Sequence, residues 1–240
     1  DLALFPHITD RYRRNYAGLV YGMDRCVGEL VQALKDTDQY ENTLIVFLSD
    51  NGGREDQTGA GNNGVLRGDK GDVTEGGFRV PMFMHWPEVI PAGTVYDHPV
   101  TALDFYPTFA RLAGASVPDT QVLDGTDIWD ALLSGSSARP GEPIYTVTYS
   151  TSATSVGIRQ DDWKALKLGT QTWKLYDVGA DIGESADVGG ANPSVLSNLV
   201  TAGSTWSDDH VQPLWWNSTS AEATWKANNM PHYETVFVLP

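Results

Sequence analysis

Thr43-Leu44-Ile45-Val46-Phe47-Leu48-Ser49-Asp50-Asn51-Gly52-Gly53 is the stretch on which the fold turns. Its run of five apolar residues, Leu44 to Leu48, is bounded by polar residues. It reads as a buried strand of an α/β sheet. A carboxylate and an amide follow where the strand ends, and two glycines then turn the chain. Ligands of open α/β sheets bind outside the carboxyl ends of the strands. Adjacent oxygen donors at that place suit a hard cation such as Ca²⁺ or Mg²⁺. Asp, Asn and Gly are also ordinary turn formers, and this motif by itself favours a plain strand-to-loop turn.

Upstream of the strand, Tyr16, Leu19, Val20, Met23, Val27, Leu30, Val31 and Leu34 recur at three- and four-residue spacing. That period predicts a helix over Arg11 to Thr37 with one apolar face, and Asp10 is placed to cap it. Downstream, Asn51 to Arg79 is glycine-rich and nearly free of apolar residues, a length that in compact domains usually carries function. Pro81 to Trp86 reads as a second buried strand. Helices are expected over Thr101 to Gly114, kinked or started late by Pro107, and over Asp127 to Leu133. Ser134 to Pro143 has linker composition. Beyond it, Ile144–Tyr149, Ser155–Arg159, Trp163–Leu168 and Trp173–Tyr176 are short β-branched and aromatic runs separated by turn residues, the pattern of an antiparallel meander. Pro193 to Trp206 reads as a final helix. The tail carries Trp215, Trp216, Trp225 and Tyr233 without clear period.

Composition narrows the partners. The chain has 240 residues, 41% of them hydrophobic and 10% aromatic, values of a folded protein. Acidic residues outnumber basic ones 31 to 16, for a net charge of −15. That excess argues against nucleic acid as a partner, because phosphate backbones need a basic surface. A single cysteine permits no internal disulfide. No segment approaches the apolar length of a membrane span. The N-terminal Asp1-Leu2-Ala3-Leu4-Phe5-Pro6 lacks the features of a signal peptide.

Further signals fall in order along the chain. Leu66-Arg67-Gly68-Asp69-Lys70-Gly71 places a lysine among glycines, where its compact ammonium can approach an anionic oxygen. Glu75-Gly76-Gly77-Phe78-Arg79-Val80-Pro81 follows, then Trp86-Pro87, Ile90-Pro91-Ala92-Gly93, Asp104-Phe105-Tyr106-Pro107-Thr108 and Leu112-Ala113-Gly114. Val156-Gly157-Ile158-Arg159, Trp163-Lys164, Leu175-Tyr176-Asp177 and Gly183-Glu184 close the series. Taken in order, and with the Ser-Asp-Asn-Gly strand end, this set resembles the sulfatase family of the alkaline-phosphatase superfamily. The resemblance runs from about Tyr12 to Tyr176 and more loosely to Trp206.

The resemblance implies part of a sulfatase-like α/β sheet flanked by helices, followed by a small subdomain with a short antiparallel sheet and a helix. The corresponding ranges are 1–135 for the catalytic-domain part, 143–206 for the subdomain and 207–240 for an aromatic-rich tail. It further implies Asp50 and Asn51 as Ca²⁺ ligands and Lys70 as a sulfate contact. His98 lies where some members touch substrate. Glu75 and Arg79 read as a local ion pair that fixes the exit of the loop. A sulfated small molecule or glycan is the implied substrate, and an extracellular or periplasmic location goes with the family.

The family's nucleophile, a formylglycine made from Cys or Ser in a Cys/Ser-x-Pro-x-Arg motif, has no counterpart in these residues. Cys26 lies in Arg25-Cys26-Val27-Gly28-Glu29 and reads as a buried, inert thiol. Ser116-Val117-Pro118 is followed by Thr120 where arginine is needed. The paired aspartates, further basic contacts and catalytic histidine of the family also have no match, and His7, His85, His210 and His232 carry no motif. The expectation is therefore the carboxy-terminal half of a sulfatase, inactive alone, with an exposed sheet edge. A complementary N-terminal fragment or a homo-oligomer would cover that edge. A non-catalytic binding or scaffolding protein, or a phosphate or phosphonate ester hydrolase of the same superfamily, are the alternatives.

Overall fold

The computed structural model describes residues 1–55, 60–118, 120, 122–149, 154–209 and 218–227. Trp215, Trp216, Tyr233, His210 and His232, and the side chain of Trp225, lie outside the described residues. The chain divides into two compact units, Asp1–Gly93 with Ile182–Glu184, and Thr94–Asp181 with the residues from Ser185 on. Helices and antiparallel sheets are mixed in the architecture.

In the first unit, α1 spans Arg11–Asp36, and the Asp10 side chain accepts the Arg13 N–H at 2.6 Å, so the expected cap is present. α1 leads to β1, Ile45–Leu48, and much later to β2, Met82–His85. The two strands pair antiparallel with Ile45 opposite His85 and Leu48 opposite Met82. The expectation of two buried strands is corrected here: β1 is half-buried throughout and β2 alternates half-buried and exposed. Each strand has the other as its only neighbour among the described residues, so the apolar run is covered on one side. The Phe47 and Phe83 rings stack across the pair at 4.8 Å.

The amphipathic face of α1 is likewise uncovered. Gly18 is its one buried residue, and Leu19 and Leu30 are 73% and 59% exposed. Cys26, expected to be buried, is exposed. It sits one position off the 16/19/23/27/30 stripe, on a helix that buries almost nothing. His85 lies at the rim, 2.6 Å from the Tyr40 hydroxyl.

The second unit holds the larger core. A 3-10 turn over Ala102–Asp104 runs into α3, Phe105–Leu112, so the helix starts late and Pro107 falls within its first turn, where a missing N–H costs nothing. A short α2, Glu75–Phe78, precedes it in the first unit, and α4, Trp129–Ser134, follows. Four strands form the meander in sequence order: β3 Ile144–Tyr149, β4 Thr154–Gln160, β5 Trp163–Lys167 and β6 Lys174–Asp177. α5, Pro193–Asp208, packs on this sheet, and Leu199 and Val200 join Val156, Ile158, Ala165, Trp173 and Leu175 in the core. Trp206 stacks on Tyr145 at 4.6 Å, so this aromatic serves packing. α6, Thr219–Ala227, is a short helix in the tail, where the sequence shows no period.

Candidate functional site

The strand-to-loop segment is built by backbone contacts. The Ser49 N–H donates to the Pro81 carbonyl at 3.1 Å, which extends the β1–β2 ladder by one bond. The Ser49 hydroxyl donates to the Asn51 carbonyl at 3.0 Å and holds the turn. Asn51 Nδ2 donates to the Gly52 carbonyl at 2.9 Å, so its amide nitrogen is engaged and Oδ1 is the oxygen left to accept. The Asp50 side chain is exposed and has no hydrogen-bond or ion-pair partner among the described residues.

The glycine loop folds back on this segment. Gly52 N–H donates to the Gly77 carbonyl at 2.9 Å, and Gly76 N–H donates to the Arg67 carbonyl at 2.7 Å. Three backbone layers, around Gly52, Gly76 and Gly68, therefore lie in direct contact. A Cβ on Gly52 would collide with the Gly76 carbonyl oxygen, and one on Gly76 with the Gly68 carbonyl oxygen. Only hydrogen side chains permit that approach. Asn63 spans the layers: Gly53 N–H donates to its Oδ1 at 2.7 Å, and its Nδ2 donates to the Gly53 and Gly68 carbonyls at 2.7 and 3.0 Å. Lys70 follows Gly68 by two residues. It is exposed and has no ion pair among the described residues.

A buried polar core supports the loop. Glu75 is fully buried, and its Oε2 lies 3.3 Å from Arg79 Nη1, the ion pair expected from the sequence. Glu184, also buried, reaches in from the short 182–184 segment, and its Oε2 accepts the Glu75 N–H at 3.0 Å. Arg67 Nη1 donates to the Glu184 carbonyl at 3.3 Å. The α2 N-terminus and the chain before Lys70 are thus held by one distant residue. His98, in the other unit, packs edge-on to the Tyr96 ring at 5.4 Å.

Asp50, Asn51 and the Lys70 loop are drawn together through their backbones. No cluster of three His, Cys, Asp or Glu side chains able to hold a metal occurs among the described residues. The Asp50 carboxylate and Asn51 Oδ1 are hard oxygen donors with free valence, which fits Ca²⁺ chemistry. They supply two donors of the roughly six to eight that calcium takes. Sequence reading missed Asn63 and Glu184. Asn62-Asn63-Gly64 looks like a turn, and the one signal for Glu184 was its place in the Gly183-Glu184 pair.

Two family models match the chain. The model described as Sulfatase covers residues 4–115, and that described as N-sulphoglucosamine sulphohydrolase, C-terminal, covers residues 66–198. Arylsulfatase J of Mus musculus is 30% identical over 241 residues, covering 82% of this chain and 40% of that protein. Steryl-sulfatase of Homo sapiens is 38% identical over 130 residues, or 52% of this chain and 22% of that protein. Among solved structures, Ps i-CgsB in complex with k-i-k-neocarrahexaose superposes with a TM-score of 0.94 at 45% identity, over 98% of this chain and 52% of that one. The phosphonate monoester hydrolase of Agrobacterium radiobacter shares the fold, with a TM-score of 0.60 at 22% identity, over 83% of this chain and 42% of that one. The chain spans about half the length of Ps i-CgsB, and its matches cover still less of the two curated relatives.

Proposed function

The chain belongs to the sulfatase family, and on that premise we propose that it is the carboxy-terminal portion of a sulfuric ester hydrolase acting on a sulfated glycan. The observation that carries the reading is the locking of the Asp50–Asn51 strand end to the Lys70 loop through stacked glycines. A remnant kept for packing alone has no need of a carboxylate and an ammonium that lack partners among the described residues, on two segments clamped together.

Asp50 and Asn51 Oδ1 would hold Ca²⁺, together with donors from outside residues 1–240. The ion, when bound, polarises the sulfate oxygens as a Lewis acid. Lys70 offers a point cation to the sulfate ester and so offsets the charge that grows on the leaving oxygen as the S–O bond breaks. The stacked glycines fix where that cation starts from. His98 is a candidate contact to the rest of the substrate. The nucleophile comes from outside residues 1–240, which carry no Cys/Ser-x-Pro-x-Arg motif. Residues 1–240 alone are therefore inactive. A sulfated galactan of the carrageenan kind is the substrate class, supported by the 45% identity to Ps i-CgsB and its bound neocarrahexaose. An extracellular or periplasmic location suits such a polymer. No described helix is long and apolar enough to cross a membrane.

The test is sulfate release from ι-type carrageenan oligosaccharides. The 240-residue chain is assayed alone and after co-expression with the amino-terminal half of Ps i-CgsB. Release is expected only from the assembled pair, and Lys70→Ala lowers it by about 100-fold. Turnover by the isolated chain that is abolished by Lys70→Ala would falsify the need for a second polypeptide. An assembled pair that binds the oligosaccharide without cleaving it points to a non-catalytic binding protein.

A further inference from the structure

We infer that Asn63 is the positioning residue of this site: its carboxamide sets the spacing between the Asp50–Asn51 donors and Lys70. The inference rests on the reading above for what the spacing is for, but its geometry stands by itself.

An asparagine amide has two N–H donors and one acceptor oxygen. Asn63 spends all of them on backbone. Its Oδ1 accepts the Gly53 N–H at 2.7 Å, and its Nδ2 donates to the Gly53 carbonyl at 2.7 Å. That pair of bonds treats Gly53 as a strand neighbour would. The second proton of Nδ2 goes to the Gly68 carbonyl at 3.0 Å. Gly53 lies two residues after Asn51, and Gly68 two residues before Lys70. One planar group therefore bridges the two halves of the candidate site.

A second set of bonds closes the ring. The Asn63 N–H donates to the Glu55 carboxylate, and the Glu55 N–H donates to Asp69 Oδ2 at 3.0 Å. Asp69 adjoins Lys70, and its own N–H is held by Asp72 Oδ2 at 3.0 Å. Division of labour within the loop is visible at the next residue. Asn62 Oδ1 accepts the Gly64 N–H at 2.7 Å and makes the turn. Asn63 is thereby left free to clamp. A residue of this length needs the asparagine amide to supply one acceptor and two donors together. Aspartate keeps the acceptor and loses both donors, and alanine loses everything.

The test uses amide hydrogen exchange and ¹⁵N chemical shifts on the 240-residue chain co-expressed with the amino-terminal half of Ps i-CgsB, neither of which needs metal or turnover. In Asn63→Ala, protection of the Gly53 N–H falls by about tenfold or more, and the Gly68–Lys70 resonances shift with it. Asn63→Asp gives a split: Gly53 stays protected because the acceptor remains, while Gly68–Lys70 shift as in the alanine variant. Asn62→Ala, which removes only the turn bond, leaves Gly53 and Lys70 unmoved. Exchange of the α1 and β1 amides, which lie in the same unit as Asn63, reports that each variant is folded. The inference is overturned if Gly53 keeps its protection in Asn63→Ala, or if Gly53 loosens while Gly68–Lys70 do not shift. A Ca²⁺ titration of the unmutated chain co-expressed with the amino-terminal half of Ps i-CgsB, read at Asp50 and Asn51, tests the calcium reading separately. Its failure would leave the Asn63 result standing.

Discussion

Gly52 and Asp104 show how much single residues decide, for opposite reasons. Gly52 matters because nothing may be added: a methyl group there meets the Gly76 carbonyl oxygen, which is itself bonded into the loop. Gly52→Ala forces backbone apart rather than a flexible side chain aside. It should cost about 1–3 kcal/mol, read as loss of exchange protection across the Gly52 and Gly76 amides with the C-terminal sheet intact. Asp104 matters because nothing may be removed. It is fully buried, it accepts the Thr101 and Thr126 N–H groups at 2.7 and 2.9 Å, and Arg139 Nη2 donates to its Oδ1. Arg139 is buried too, and its Nε has no hydrogen-bond partner among the described residues. Asp104→Asn would leave that guanidinium without a counter-charge and place an amide against donors. The expected loss is about 3–5 kcal/mol, measured as a drop in the urea midpoint of the second unit. Both residues could be named from the sequence, but not their burdens. A glycine's neighbours and a carboxylate's burial are set by segments far along the chain.

At the scale of elements, legibility followed period. α1 was readable to within a residue at its start, because Asp10 is a capping residue and the apolar stripe is regular. The four-strand meander was readable because each run is short, β-branched or aromatic, and punctuated by turns. What period cannot tell is whether a stripe has a partner. α1 and β1 carry the sequences of buried elements and are exposed, since periodicity records the face and not what covers it. The 50–79 loop was legible as important but not as a structure, because backbone-to-backbone packing leaves only glycines as its trace. The β3–α5 contact offers an alkaline test. Tyr145 stacks on Trp206 and donates to the Ala202 carbonyl at 3.3 Å, and burial raises its phenol above the ordinary value of 10.0. A raised acid favours folding fully below the unfolded value and loses that contribution as pH climbs through the folded one. The unmutated chain should therefore lose stability above about pH 10 more steeply than Tyr145→Phe, as followed by melting temperature from pH 8 to 11.

For the molecule as a whole, exposed apolar surface is the dominant fact of the first unit. Leu19 and Leu30 on α1 and Phe83 on β2 are each more than half exposed in a chain that spans about half of Ps i-CgsB. Patches of this kind bind partners or aggregate. The isolated chain should bind the dye ANS strongly and elute as an oligomer or aggregate in size-exclusion chromatography with light scattering. Co-expression with the amino-terminal half of Ps i-CgsB should abolish most ANS binding and give a one-to-one species. A monodisperse monomer that ignores ANS would contradict the expectation.

Glu184 carries one more implication, and it concerns time. Its carboxylate holds the Glu75 amide across 109 positions of chain. A ribosome delivers residues in order, at about 5–20 per second, so the lysine loop emerges roughly 5–20 s before its anchor exists. During that interval Arg67 and the Glu75 amide wait in water, unassembled. Chaperones and proteases meet the nascent polypeptide in this half-finished condition, and any slow codon before position 184 prolongs it.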